Sequence, residues 1–286
     1  MSDDNSMSLV NLGKLAKPAD TLIKKVSSAV SGYAGPWQIK RVAKAEAEVA
    51  LIKAKNEIEI TDLHRCAMHR FFDEEARRQD NIETITMKAL PNLNESSDPS
   101  KMEDDWVTNF FDKSRIISNG EMQDIWAKVL AGEANAPGTY SKRTVNFLGD
   151  LDKKDAEIFQ NLCSFGCISG GFIPLIFDHK ASIYNDKGID FNSLKHLDSI
   201  GFIQFDSLVG FDFTGLFESI TVMYCGQPLV LKIKKEEGNK LPVGKVLLTQ
   251  LGRELTTVCN APSVEGFFEY VKDKWKRYLP DESLKN

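Results

Sequence analysis

Metal or nucleophile chemistry would first be sought at His64, Cys66 and His69, which lie together in the string DLHRCAMHR. Zinc ligands on a helix share a face at offsets of three or four. Here the offsets are two, three and five, which spread the three side chains around the helix. A helix surface with two polar histidines and one buried cysteine is the plainer expectation. Cys163 and Cys167 are four apart and can share a face, but a zinc site needs two further ligands. Cys225, Cys259 or His179 would have to supply them from elsewhere in the chain, and no CxxC spacing occurs. Buried, hydrophobe-like thiols are therefore expected. There is no GxSxG elbow, no GxxxxGK[ST] loop and no GxGxxG. CISGGF reads as a tight turn, and KLPVGKV as a turn between strands. The acidic runs at Asp73–Glu75 and Glu103–Asp105 suit solvated faces or helix starts favoured by the helix dipole. No catalytic residue, metal or cofactor is expected.

Two polar clusters remain. EEARRQDNIE (74–83) and WAKVLAGEANAPGTYSKRT (126–144) mix charge with small residues more finely than amphipathicity requires. Arg77 and Arg78 are suited to bidentate pairing with a carboxylate such as Glu133. Such a network would either fix the helices around the Gly132–Gly138 turn or, in a concave pocket, assemble an enzyme site; the first is expected. A separate cluster near the N-terminus is basic. Between residues 9 and 44, Lys14, Lys17, Lys24, Lys25, Lys40, Arg41 and Lys44 face a single acid, Asp20. Leu22, Val26 and Val30 fall on one helical face flanked by Lys24 and Lys25, an amphipathic pattern that fits an anionic membrane surface, a partner protein or the chain's own body. Several copies in an oligomer would add their weak affinities.

The elements that position these residues follow from composition and periodicity. The chain has 286 residues, 42% hydrophobic and 27% charged, with a net charge of −5. These values suit a globular chain of one or two domains and make a generic nucleic-acid binder less expected. No apolar run reaches the ~20 residues of a membrane span. Five cysteines without a secretory start point to reduced thiols and a cytoplasmic setting, with peripheral contact to the inner membrane open through the basic segment.

Residues 1–35 form a basic amphipathic segment, with Pro18 at the start of a helix and Gly32 past its end. Residues 36–90 contain, from Trp37 onward, no glycine or proline before Pro91, which predicts one long helix, or a hairpin broken near Asp80–Asn81. A helix of that length needs a partner, so self-association into a homo-oligomer, coiled-coil fashion, is expected here. Residues 102–165 read as a helical domain, with helices near 102–114 and 120–134, a third after the Gly138–Ser141 turn, and Asn119 and Asp152 as N-caps. Residues 166–260 become rich in glycine and β-branched runs, giving an α+β module of winged-helix type with a helix at Phe191–Ile200. That helix offers only Lys195 and His196 as basic groups, too few for a DNA reader. Residues 261–286 hold a last amphipathic helix. The fold class is mainly α with a C-terminal α+β module.

Four strings carry a resemblance across nearly the whole chain: LGKLAKPADTLIKKVSSAVSGYAGPWQIKRVAKAEAE, EEARRQDNIE, DIWAKVLAGEANAPGTYSKRTVNFL and LPVGKVLLTQLGRELTTVC. They resemble a bacterial family known only as a domain of unknown function. The order of segments is more loosely similar to abortive-infection alpha-type proteins, which share a C-terminal LT-x-x-G pattern, here Leu248, Thr249 and Gly252. The resemblance implies a role in phage defence and transfers no catalytic residue, so a non-enzymatic interaction protein with a protein partner is expected.

Overall fold

The structure is a computed structural model that describes residues 13–30, 62–233 and 239–280. It is mainly helical, with small antiparallel sheets confined to the C-terminal part. The chain divides into two compact units, residues 1–149 and 150–286. The boundary lies before the helix that the sequence groups with the middle region, so that helix belongs to the second unit.

In the first unit, α1 spans Ala16–Ala29, α2 Asp62–Ala89, α3 Asp104–Ser114, α4 Gly120–Asn135 and α5 Lys142–Gly149. The helix α2 passes through Asp80–Asn81 without a break. The reason is tertiary. The Asn81 amide is buried and donates to the Arg115 carbonyl (2.9 Å), while its oxygen accepts from Gln123 Nε2 (3.2 Å). A side chain satisfied by another element does not compete for its own backbone. The segment 37–61 of the expected long helix lies outside the described residues. Trp106, Phe110 and Trp126 form the centre of this unit, the first pair stacked at 5.1 Å and the second edge-on at 5.0 Å. Asn119 caps α4 as expected, its oxygen accepting from the Glu121 and Met122 amides.

The second unit opens with α6 (Lys153–Cys163), followed by strands β1 (Gly166–Ile168) and β2 (Phe172–Pro174). Next come α7 (Ser182–Asn185), α8 (Phe191–Ser199), β3 (Ile203–Phe205), β4 (Phe211–Phe213), β5 (Ser219–Tyr224) and β6 (Gln227–Lys232). The unit ends with β7 (Leu241–Gly244), β8 (Val246–Leu248), α9 (Gln250–Thr256) and α10 (Phe267–Lys274). One sheet has the order β2-β1-β5-β6, and two-stranded sheets pair β3 with β8 and β4 with β7, all antiparallel. KLPVGKV is thus part of two strands rather than a connecting turn. Its Gly244 has φ +103°, and a Cβ there would sit 2.3 Å from the Ile176 oxygen. Only glycine allows that backbone approach, and the Lys245 amide donates to the same oxygen at 2.7 Å. Aromatic rings fill the core: Phe165 meets Tyr184 at 4.9 Å and Phe267 at 5.1 Å, and Phe159 stacks on Phe202 at 4.0 Å. Burial raises the Tyr184 phenol far above its ordinary pKa, and its hydroxyl donates to the Leu175 carbonyl at 2.7 Å.

Candidate functional site

A groove of about 530 Å³ opens in the second unit, lined by His179, Lys180, Asn185, Asp190, Phe191, Asn192, Ser207 and Leu208. Three elements hold it. The backbone after Ile176 is seated against Gly244 and carries His179 and Lys180 onward into α7. The start of α8 is fixed by a capping box in which Asp190 accepts from the Ser193 amide and the Ser193 hydroxyl accepts from the Asp190 amide, both at 2.8 Å. The Ser193 amide is also the main cause that holds the Asp190 carboxyl below the usual carboxylate range. The β3–β4 turn supplies the third wall. There Asp206 accepts from the Val209 and Leu208 amides, each at 2.9 Å, and these bonds lower its pKa. Lys245 Nζ donates to the Leu208 carbonyl at 2.7 Å.

His179 and Phe191, which line the groove, join Phe205 in a ring cluster. His179 lies 5.7 Å from both Phe191 and Phe205, and those two lie 5.7 Å from one another, none of the three pairs face to face. His179 Nδ1 is shielded from solvent and has no hydrogen-bond partner among the described residues. Asn185 and Asp190 are used by the local structure, Asn185 donating to the Lys180 carbonyl at 3.2 Å. The rim is apolar and uncovered, with Leu208 and Val209 each 86% exposed, and Phe191 of the ring cluster is itself 46% exposed. A shallow groove with aromatic lining, an apolar rim and a few polar groups has the character of a recognition surface.

The residues singled out in the sequence lie elsewhere. In the first unit the apolar face of α1 is turned inward. Leu22 is fully buried and Val26 nearly so, while Val30 is half-buried. Lys25 pairs with Asp104 at 2.5 Å and Lys24 with Asp20 at 2.7 Å. The proposed contact face at Leu22 and Val26 is therefore occupied by the chain's own packing, because α3 and the turn at Pro99–Lys101 supply a complementary surface. Nor are Arg77, Arg78 and Glu133 one network. Arg78 pairs with Glu74 and Glu75 along α2, Arg77 is exposed, and Glu133 is buried. Its two oxygens accept from the Gly138 amide (2.6 Å) and the Tyr140 amide (2.9 Å), closing the turn after α4. Burial, outweighing these bonds, raises its pKa. Trp106 Nε1 donates to the Tyr140 carbonyl at 2.7 Å, which ties the same turn to α3.

The thiols are also dispersed. Cys66 is exposed, not buried, because this half of α2 has no covering element among the described residues. Cys163 ends α6 whereas Cys167 lies in β1, so they share no helix face. Burial pushes the Cys167 thiol up to about 12. On α8, Lys195 pairs with Asp198 and His196 with Asp155, both at 2.7 Å, which leaves that helix little positive charge to offer a phosphate.

Sequence reasoning missed Phe191, Phe205, Lys180 and Leu208 as a group and saw His179 only as a remote zinc ligand. The local signal was the apolar pair Leu208–Val209 between Asp206 and Gly210, where a turn ordinarily carries polar residues. No helix among the described residues is long and apolar enough to cross a membrane. No curated protein and no solved structure matches the chain. A family model does match, over residues 64–272, and on that match the chain belongs to the DUF2806 family, described as proteins of unknown function.

Proposed function

We propose that this chain is a non-enzymatic interaction protein whose C-terminal unit holds a segment of a partner protein in the His179 groove. The observation that carries the reading is the pairing of an exposed apolar rim, Leu208 and Val209, with an aromatic ring cluster that opens to solvent through Phe191. Apolar residues at that exposure on a turn braced by Asp206 and Lys245 are displayed by the fold, and aromatic and apolar anchors dominate protein recognition. Self-association through residues 37–90 belongs to the same proposal. Its support is the outer half of α2, where Leu63 is 77% and Phe71 60% exposed.

A winged-helix kinship of the second unit, and a setting in phage defence, form its outer part. The first is supported by the succession α8, β3, later strands and α9. The second is supported by the order of segments and by LT-x-x-G. That pattern has a structural meaning here. Thr249 caps α9, accepting from the Gly252 amide at 3.1 Å, and its hydroxyl donates to the Gly201 carbonyl at 2.7 Å. It supports kinship of fold more than identity of activity.

The test is a photo-crosslinking phenylalanine derivative placed at Leu208 of the full chain in its host cell. A discrete protein adduct that disappears in a Phe191→Asp background supports the groove. Adducts unchanged by Phe191→Asp, or none at all, overturn it. Plating of phage on cells with and without the gene tests the defence setting separately.

A further inference from the structure

One pair of nucleophilic side chains stands apart from the groove. Cys163, at the C-terminal end of α6, and Cys259, in the segment that follows α9, are neighbours although 96 residues separate them in sequence. The two segments are joined independently by the Gln160 side chain, whose amide donates to the Asn260 carbonyl at 2.8 Å. Cys163 is buried and Cys259 half-buried, so Cys259 is the more accessible residue of the pair. Both are free thiols.

We propose that Cys163 and Cys259 are an oxidative modification site, closing to an intramolecular disulfide when the protein meets a peroxide. The order of events follows from exposure. Cys259, as the thiolate, attacks one peroxide oxygen, giving a sulfenic acid and releasing hydroxide, which takes up a proton to become water. Cys163 then attacks the Cys259 sulfur; its proton leaves with the sulfenic hydroxyl as a second water, and the S–S bond forms. Two thiols and one hydrogen peroxide give one disulfide and two waters; the peroxide is reduced by the two electrons the sulfurs lose. The hydrogen bond to Cys259, with burial, raises the Cys163 pKa well above that of an ordinary thiol, which keeps Cys163 protonated and unreactive until the sulfenic acid is beside it. A dithiol reductant reverses the reaction by exchange. The other three cysteines are placed differently: Cys66 and Cys225 are exposed, and Cys167 is buried in β1.

The full-length protein is treated with hydrogen peroxide, the remaining thiols are blocked, and the chain is digested without reduction. The expected product is one peptide pair carrying Cys163 and Cys259, lighter by two hydrogens than the separate peptides and released by dithiothreitol. Cys259→Ser, at the half-buried position, abolishes the pair, whereas Cys66→Ser/Cys225→Ser leaves its yield unchanged. Cys163→Ser converts the product to a sulfenic acid at Cys259 that a dimedone probe traps. Over-oxidation of Cys259 without the cross-linked pair in the wild type, or cross-links running only through Cys66 or Cys225, would overturn the proposal.

Discussion

At the residue scale, the side chains that looked most chemical serve the backbone. Glu133 is the clearest case: its carboxylate satisfies two amides of the turn between α4 and α5 from a buried position. Glu133→Ala leaves those amides without acceptors, and a buried unsatisfied donor costs about 1–3 kcal/mol. Urea unfolding of the two proteins at pH 7 measures it. The pH dependence has a definite sign. The folded-state pKa is raised above the ordinary value of 4.5, so the pH-dependent part of this group's contribution is fully present below that value and is lost as pH rises through the raised one, while the two amide bonds remain. The gap between wild type and Glu133→Ala therefore narrows as pH climbs through that window. A gap that widens over the same range would refute burial as the dominant cause.

At the scale of elements, α1 and α9 make opposite points about sequence motifs. The amphipathic face of α1 looked available to a membrane, yet Leu22 and Ala19 have no exposed surface. Leu22→Ala is expected to destabilise the first unit by about 2–5 kcal/mol, as large-to-small changes in a packed core do. A change near zero in thermal unfolding would mean that α1 is undocked in solution and would return its apolar face to the list of contact surfaces. In α9, Gly252 is required by close approach, since a Cβ would stand 2.1 Å from the Phe202 oxygen. Gly252→Ala must push α9 from the Phe202 carbonyl just before β3, at about 1–3 kcal/mol by analogy with overpacked sites. Denaturant midpoints check it, and an unchanged midpoint would show that the helix relaxes freely.

At the scale of the whole molecule, the division after Gly149 has a testable consequence. The second unit encloses its own aromatic core, and Tyr224 ties its segments together, donating to the Ser164 carbonyl (3.1 Å) and accepting from the Val264 amide (2.7 Å). Residues 150–286 expressed alone should give a cooperative thermal transition and keep the groove, as domains with their own core do. A broad, non-cooperative melt would show that the unit depends on the rest of the chain. The net charge of −5 and the pairing of Lys195 with Asp198 on α8 set a further expectation: binding to random duplex DNA at physiological salt stays weak.

Local rules made much of this architecture legible. The absence of glycine and proline up to Leu90, Asn119 as a cap, Pro91 as a stop and the β-branched runs after residue 166 report preferences of a residue for its own backbone, which a sequence expresses directly. The coarse class, mainly helical with a C-terminal α+β part, follows from them. Short strands escaped the same rules: FDF and LPVG are held by pairing with one another, not by their own propensity. The groove was still less visible. His179, Phe191 and Phe205 converge from three separate segments, and Gly244 matters because of a carbonyl 68 residues away, at Ile176. In the same way, whether the face of Leu22 and Val26 meets solvent, lipid or protein is a property of the surface opposite. Periodicity states that a face must be covered. Only the packed chain decides what covers it, because burial is an interaction between surfaces and no single segment contains both.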